Sequence, residues 1–140
     1  MNKIPIFILY QHDDENYIKE FKARFDERFE IRSSSIVKSD ANISNINWAR
    51  MVIVFIGNKT KNSDWVREIE YANSKGYQII IIYLPGATEA DNPPCLEDYS
   101  DSFVNWDDEQ KIIDAINGII VSDGSDGEAR PSIGGKRDIC

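Results

Sequence analysis

The glutamate in Trp65-Val66-Arg67-Glu68-Ile69 is the residue of this chain best placed to do chemistry. Glu68 falls in the first turn or two of a helix that follows the apolar strand Met51–Ile56, close to that strand's carboxyl end. A carboxylate in such a place can stabilise positive charge developing on a bound substrate. It also has a simpler role as a negative charge on the positive end of the helix dipole, and the residue by itself favours that role. Glu70 competes, but two residues further round the helix it points elsewhere. Trp65 alone reads as a core residue.

Other reactive types are sparse. His12-Asp13-Asp14 follows the first apolar strand as a turn with a ready helix cap; Asp13 alone reads as that cap, and a lone His12 as a cap or surface residue. An acidic pair there invites comparison with a phospho-receiver domain. That reading fails, because Gly57-Asn58 stands where a receiver needs an aspartate and Asn105-Trp106 where it needs a lysine. No G-x-G-x-x-G and no G-x-x-x-x-G-K-[ST] occurs, which removes dinucleotide redox chemistry and P-loop hydrolysis. Cys95 and Cys140 lack metal-ligand spacing, and one histidine cannot build a His-rich centre, so no metal site is expected.

The elements that must hold these residues are legible as periodicities. Ile6-Phe7-Ile8-Leu9-Tyr10, Met51–Ile56 and Ile79–Leu84 are continuous apolar runs, the pattern of strands buried on both faces. Tyr17, Phe21, Phe25 and Phe29 recur at steps of four and predict an amphipathic helix over about 14–29, its aromatic stripe packed in the core. Glu30-Ile31-Arg32 makes a short strand, and residues 33–47 a long polar loop with one helical turn near Ile43–Trp48. Ser63 is the expected cap of the next helix, and Gly76 its terminating glycine. Ser102-Phe103-Val104 is the last strand. Asp107 with Gln110 predicts a capping box for a final helix carrying Ile112, Ile113, Ile116, Ile119 and Ile120. Trp48 and Trp106 are assigned to packing.

Strands alternating with helices give an α/β, flavodoxin-like, five-stranded parallel sheet of order 2-1-3-4-5, with helices on both faces. Ligands bind such folds at the carboxyl edge, here the loops beginning at Gln11, Ser33, Gly57 and Pro85. Residues 1–121 form the domain; residues 122–140, with Gly124, Gly127 and Gly134-Gly135, read as a flexible tail. An unselected solvated terminus is the simplest reading of that tail, ahead of a docking peptide or attachment through Cys140.

The 140 residues suffice for one domain, and 41% hydrophobic with 29% charged residues supports a packed core. With 16 basic and 24 acidic residues the formal charge is −8, which argues against nucleic-acid binding. No apolar run is long enough to span a membrane, and the N-terminus lacks the pattern of a signal peptide, so a cytoplasmic location is expected.

In order, Phe7-Ile8-Leu9-Tyr10, His12-Asp13-Asp14, Val52 to Thr60, Ser63-Asp64-Trp65-Val66-Arg67-Glu68-Ile69 and Ala72 resemble a TIR-like domain. Within that superfamily the chain is most similar to the ThsB family of Thoeris antiphage systems, over roughly residues 4–120. The most specific block runs from Val52 to Tyr83. The resemblance implies an NAD⁺ nucleosidase that cleaves the nicotinamide–ribose bond and makes a cyclic, ADP-ribose-derived signal for a separate effector. Glu68 would be its catalytic residue. Tyr10, Gln11, His12 and Asp13 would line the substrate pocket beside Asn58, Thr60 and Trp65. NAD⁺ would be substrate, with no other cofactor. Many members place the glutamate four residues after the tryptophan, where Ile69 stands here, a turn of about 100° on a helix. The 33–47 loop matches the segment through which TIR domains assemble, with copies of themselves or with other TIR domains. A non-catalytic scaffold is the alternative; a nucleoside deoxyribosyltransferase-like enzyme and a self-contained NAD⁺-depleting toxin are further rivals.

Overall fold

The computed structural model describes residues 3–25, 27–36, 39–60, 63–93 and 96–124. Its sheet has five strands, β1 (Ile4–Leu9), β2 (Phe29–Ser34), β3 (Met51–Ile56), β4 (Gln78–Tyr83) and β5 (Ser102–Asn105), in the order β2-β1-β3-β4-β5. Every neighbouring pair is parallel. The expected flavodoxin-like α/β topology is therefore present. The helices are α1 (Glu15–Phe25), α2 (Asp40–Trp48), α3 (Val66–Ser74), α4 (Leu96–Tyr99) and α5 (Glu109–Ile116).

Alternation along each strand sends neighbouring side chains to opposite faces. Ile6, Ile8, Ile53, Phe55, Ile80 and Ile82 meet α1 and α5 on one face. Phe7, Leu9, Val52, Val54, Ile79 and Ile81 meet α2, α3 and α4 on the other. Burying each such side chain contributes about 1.5–3 kcal/mol, which is why the central runs are apolar throughout. The aromatic stripe of α1 is core, as expected: Phe21 stands 5.5 Å from Phe55, and Phe55 5.6 Å from Trp106. Trp106 is buried there, while Trp48 packs on the opposite core beneath Arg32, whose guanidinium carbon is 4.0 Å from its ring centre.

Several boundaries differ from the periodicity reading. The first helix ends at Phe25, and Phe29 instead opens β2 opposite Ile4. It keeps the four-residue spacing because it packs on Phe25 from a strand, 5.9 Å between rings. The supposed polar loop contains the nine-residue α2, capped by Ser39, whose hydroxyl accepts from the Ala41 amide at 3.1 Å. Helix α3 has Trp65 at its cap position, and the Asp64 carboxylate, rather than Ser63, accepts from the Val66 amide at 3.3 Å. Gly76 does end it, with φ of 74°. Helix α5 is capped by Asp108, not by an Asp107–Gln110 box, and stops before Gly118, where φ is 96°. Ile119 and Ile120 consequently lie exposed beyond it.

Past Val121 the chain stays on the domain for three residues. Ser122 pairs with Phe103 beside β5, the Asp123 amide donates to the Phe103 carbonyl at 2.9 Å, and Asn105 donates to the Gly124 carbonyl at 2.6 Å. The buried Asp123 carboxylate takes an ion pair from Lys111 at 2.6 Å. The rest of the expected tail, with Cys140, and Cys95 in the 93–96 connection, lie outside the described residues.

Candidate active site

Two polar clusters meet the carboxyl edge of the sheet, one from each face. The first is built by the turn after β1. Gln11 accepts from the Asp13 amide at 2.6 Å and so caps a single 3₁₀ turn, His12–Asp14, that leads into α1. The turn holds Asp13 outward, where Lys59 from the loop after β3 pairs with it at 2.7 Å. That ammonium, by hydrogen bond and charge, holds the exposed Asp13 carboxyl below its ordinary value of 3.8. Asp14 points inward against Gly57; burial, reinforced by the charge of Asp13, pushes its carboxyl above 3.8. Asp13, Asp14, Tyr17, Gly57, Asn58 and Leu84 line a cavity of ≈ 200 Å³ here.

The second cluster holds Glu68. Its side chain is fully buried in the first turn of α3. A carboxylate is costly to remove from water unless hydrogen-bonded. Asn42, buried on α2, donates from Nδ2 to Glu68 Oε2 at 2.8 Å and to the Ile36 carbonyl at 2.7 Å. Two exposed contacts flank this one: Arg67 with Asp40 at 2.7 Å, and the Tyr71 hydroxyl donating to Asn47 at 2.6 Å. The helices are thus laced along their length, with the Asn42–Glu68 bond innermost. Outside them runs a groove of ≈ 810 Å³ lined by Ile43, Arg67, Glu70 and Tyr71. Glu70 is exposed, two residues from the buried Glu68, as the helical spacing requires.

Of the residues expected at the site, Asp13 and Asn58 share the first cavity. Gln11 is half-buried as the turn's cap, and His12 is exposed. Tyr10 lies in the core beneath α1. Thr60 is buried, accepting from the Gly57 amide at 2.7 Å and donating to the Phe55 carbonyl at 3.4 Å, which braces the loop. Trp65 is buried in the α3 core, and its indole N–H has no hydrogen-bond partner among the described residues. Neither Glu68 nor Trp65 lines the cavity that Asp13 and Asn58 share. Sequence reading missed Asn42 and Lys59. Asn42 had a signal: four residues before Ile46, it shares that residue's inward face. Lys59 had another, since adjacent strands β1 and β3 end on loops of opposite charge. Among the described residues, no three of His, Cys, Asp or Glu gather as metal ligands.

A parallel 2-1-3-4-5 sheet covered by helices on both faces defines a flavodoxin-like α/β domain, here with a buried glutamate opening the helix after its central strand. The family model described as "Thoeris protein ThsB, TIR-like domain" matches residues 7–89, and the chain belongs to that family. A comparison with curated proteins returns no match. Among the described residues, no helix is long and apolar enough to cross a membrane.

Proposed function

We propose that this protein is an NAD⁺ nucleosidase of TIR type, cleaving the nicotinamide–ribose bond with Glu68 as its catalytic carboxylate. The observation carrying the reading is Glu68 itself, a buried carboxylate fixed by an amide at the helix start beside the sheet's carboxyl edge, in a chain of this family. One carboxylate suffices for this bond. Ordinary glycosidases pair an acid with a second carboxylate because their leaving group departs as an alkoxide. Nicotinamide leaves neutral from a cationic ring, so no proton donor is needed. The carboxylate stabilises the oxocarbenium-like ribose as charge develops and orients its hydroxyls. Asp13 and Asn58, with Gln11 and His12 nearby, offer polar contacts for the rest of the dinucleotide.

The product we expect is a cyclic ADP-ribose-derived signal that acts on a separate effector in antiphage defence. Assembly through the 33–47 segment, with other copies or other TIR domains, belongs to the same reading. Chromatography of NAD⁺ incubated with the protein and with Glu68→Gln tests it. Nicotinamide release by the parent that disappears in the variant supports the reading, and the second product peak identifies the signal. Equal release from both assigns the chemistry to another residue, with Glu70 next to examine.

A scaffold without catalysis is the second reading, favoured by one observation: Glu68 has no exposed surface. Absence of nicotinamide from the parent, with and without crowding and in lysate of phage-infected cells, would favour it.

A further inference from the structure

Strand β2 is outermost on one side of the sheet, with β1 as its neighbour and no strand beyond it among the described residues. The Tyr10 amide donates to the Ser34 carbonyl at 3.2 Å, and this bond sets the phase of the whole ladder. Peptide groups alternate in direction along a strand. Glu30, Arg32 and Ser34 therefore turn theirs toward β1, while Phe29, Ile31 and Ser33 turn theirs outward. The side chains alternate as well. Phe29 and Ile31 belong to the core beneath α1, and Glu30 and Arg32 stand on the opposite face. Arg32 is held there, its guanidinium carbon 4.0 Å from the Trp48 ring centre and its Nη1 donating to Asn45 Oδ1 at 3.2 Å. Most of its N–H groups are left over from that bond. Glu30, two residues away, is exposed and takes no ion pair among the described residues.

From this we infer that β2 pairs antiparallel with β2 of a second copy of this chain, about a two-fold axis at Ile31. Ladder phase and charge select that register together. Outward-turned residues must face outward-turned residues, so the axis passes through a residue, and overlap is greatest at Glu30, Ile31 or Arg32. An axis at Glu30 sets two carboxylates face to face, and one at Arg32 two guanidinium groups; like charges directly opposite are destabilising. The axis at Ile31 instead sets Glu30 opposite Arg32 of the partner subunit, and the symmetry repeats the pair. Both pairs fall at non-hydrogen-bonded positions, where facing α-carbons are about 4.5 Å apart and side chains meet most closely. Phe29, Ile31 and Ser33 then supply about six main-chain bonds across the axis. Arg32 enters with its guanidinium already held by Trp48 and Asn45, which lowers the ordering cost of the contact. Because the joined strands run in opposite directions, the two carboxyl edges open at opposite ends of the joined sheet. The pairing uses a strand edge rather than the connection after it, and it is independent of the NAD⁺-cleaving reading.

Sedimentation velocity of the full chain over a concentration series measures the association, and charge variants test its register. The parent should dimerise weakly, and less at high salt, as a single strand edge with exposed charges requires. A parent that stays monomeric up to its solubility limit overturns the inference. Glu30→Lys and Arg32→Glu each set like charges opposite one another across the axis, and each alone should lower the association constant about 10-fold or more. Glu109→Lys, the same change of charge on α5, should not weaken it. Mixed in equal amounts, the Glu30→Lys and Arg32→Glu proteins present edges of opposite charge and should form a heterodimer at least as tight as the parent pair. A mixture that stays monomeric overturns the register, and association that ignores both substitutions assigns the dimer to another surface. Ile31→Pro removes an outward N–H and spares the bonds to β1, so it should abolish association in a chain with the parent's circular dichroism. If that variant does not fold, the mixing experiment decides the matter by itself.

Discussion

The carboxylate of Asp14 lies against the α-carbon of Gly57, so closely that a β-carbon there would overlap it. The two residues join the turns after β1 and β3, the central pair of strands at the carboxyl edge. Gly57→Ala should therefore force Asp14 to turn away, at about 1–3 kcal/mol of stability. Because the clash is between two side-chain positions, Asp14→Gly in the same molecule should recover most of the loss. A denaturant double-mutant cycle measures it, and strict additivity would refute the contact.

Asp14 also sets a pH dependence. Its carboxyl is raised above 3.8 in the folded protein, chiefly by burial and further by Asp13, so the native state binds its proton more tightly than the unfolded chain does. Stability then falls as pH rises from 3.8 through the folded value, and the penalty is constant above it. Asp14→Asn should be more stable than the parent at neutral pH, with the difference fading below the unfolded value. Urea midpoints for both proteins across the acid range decide this, and a difference that grows on acidification would contradict it.

Substitutions at Glu68 should separate stability from chemistry. Glu68→Gln keeps an oxygen to accept from Asn42 and should melt close to the parent. Glu68→Ala leaves the Asn42 amide short of a buried partner and opens a void, costing about 2–4 kcal/mol. Calorimetry of the three proteins checks the order. If Gln were as damaging as Ala, the bond to Asn42 would not be the contact that matters.

The segment beyond Val121 should matter to stability as well. Ending the chain after Gly124 retains the Lys111–Asp123 ion pair and the bridge to Phe103; ending it after Val121 removes both. The shorter form should be less stable by about 1–3 kcal/mol, since the Lys111–Asp123 pair and the Asp123 amide bond are charge-assisted or shielded. Equal melting temperatures for the two truncated forms would show that this pairing contributes nothing.

What the sequence makes legible follows from the range of the interactions involved. Ile6–Leu9, Met51–Ile56 and Ile79–Ile82 declare themselves as strands because both faces are buried and each position is apolar. Glu68 is legible as the carboxylate opening α3 because helical spacing alone puts it there. Helix α2 is not, because its buried positions are Asn42 and Ile46, and an inward asparagine breaks the apolar stripe. Asn42 is buried on account of a residue 26 positions away, a contact no local pattern contains. Phe29 fails in the opposite sense: it matches the helical period of α1, yet its partners across the ladder make it a strand residue. The Asp13–Lys59 pair, likewise, exists only once β1 and β3 are neighbours.

The pairing of Ser122 with Phe103 also decides how the sheet can end. Both the Phe103 amide and its carbonyl are taken, by Val121 and Asp123, so that margin of β5 offers no outward hydrogen-bonding groups at this residue to a foreign strand. Five parallel strands would otherwise present two templates for edge-to-edge aggregation. With β5 blunted, β2 is the margin left to accept another strand, and it carries Glu30 and Arg32 as charged guards. A sheet that can be extended from one side alone can close into a pair but cannot propagate into a ribbon.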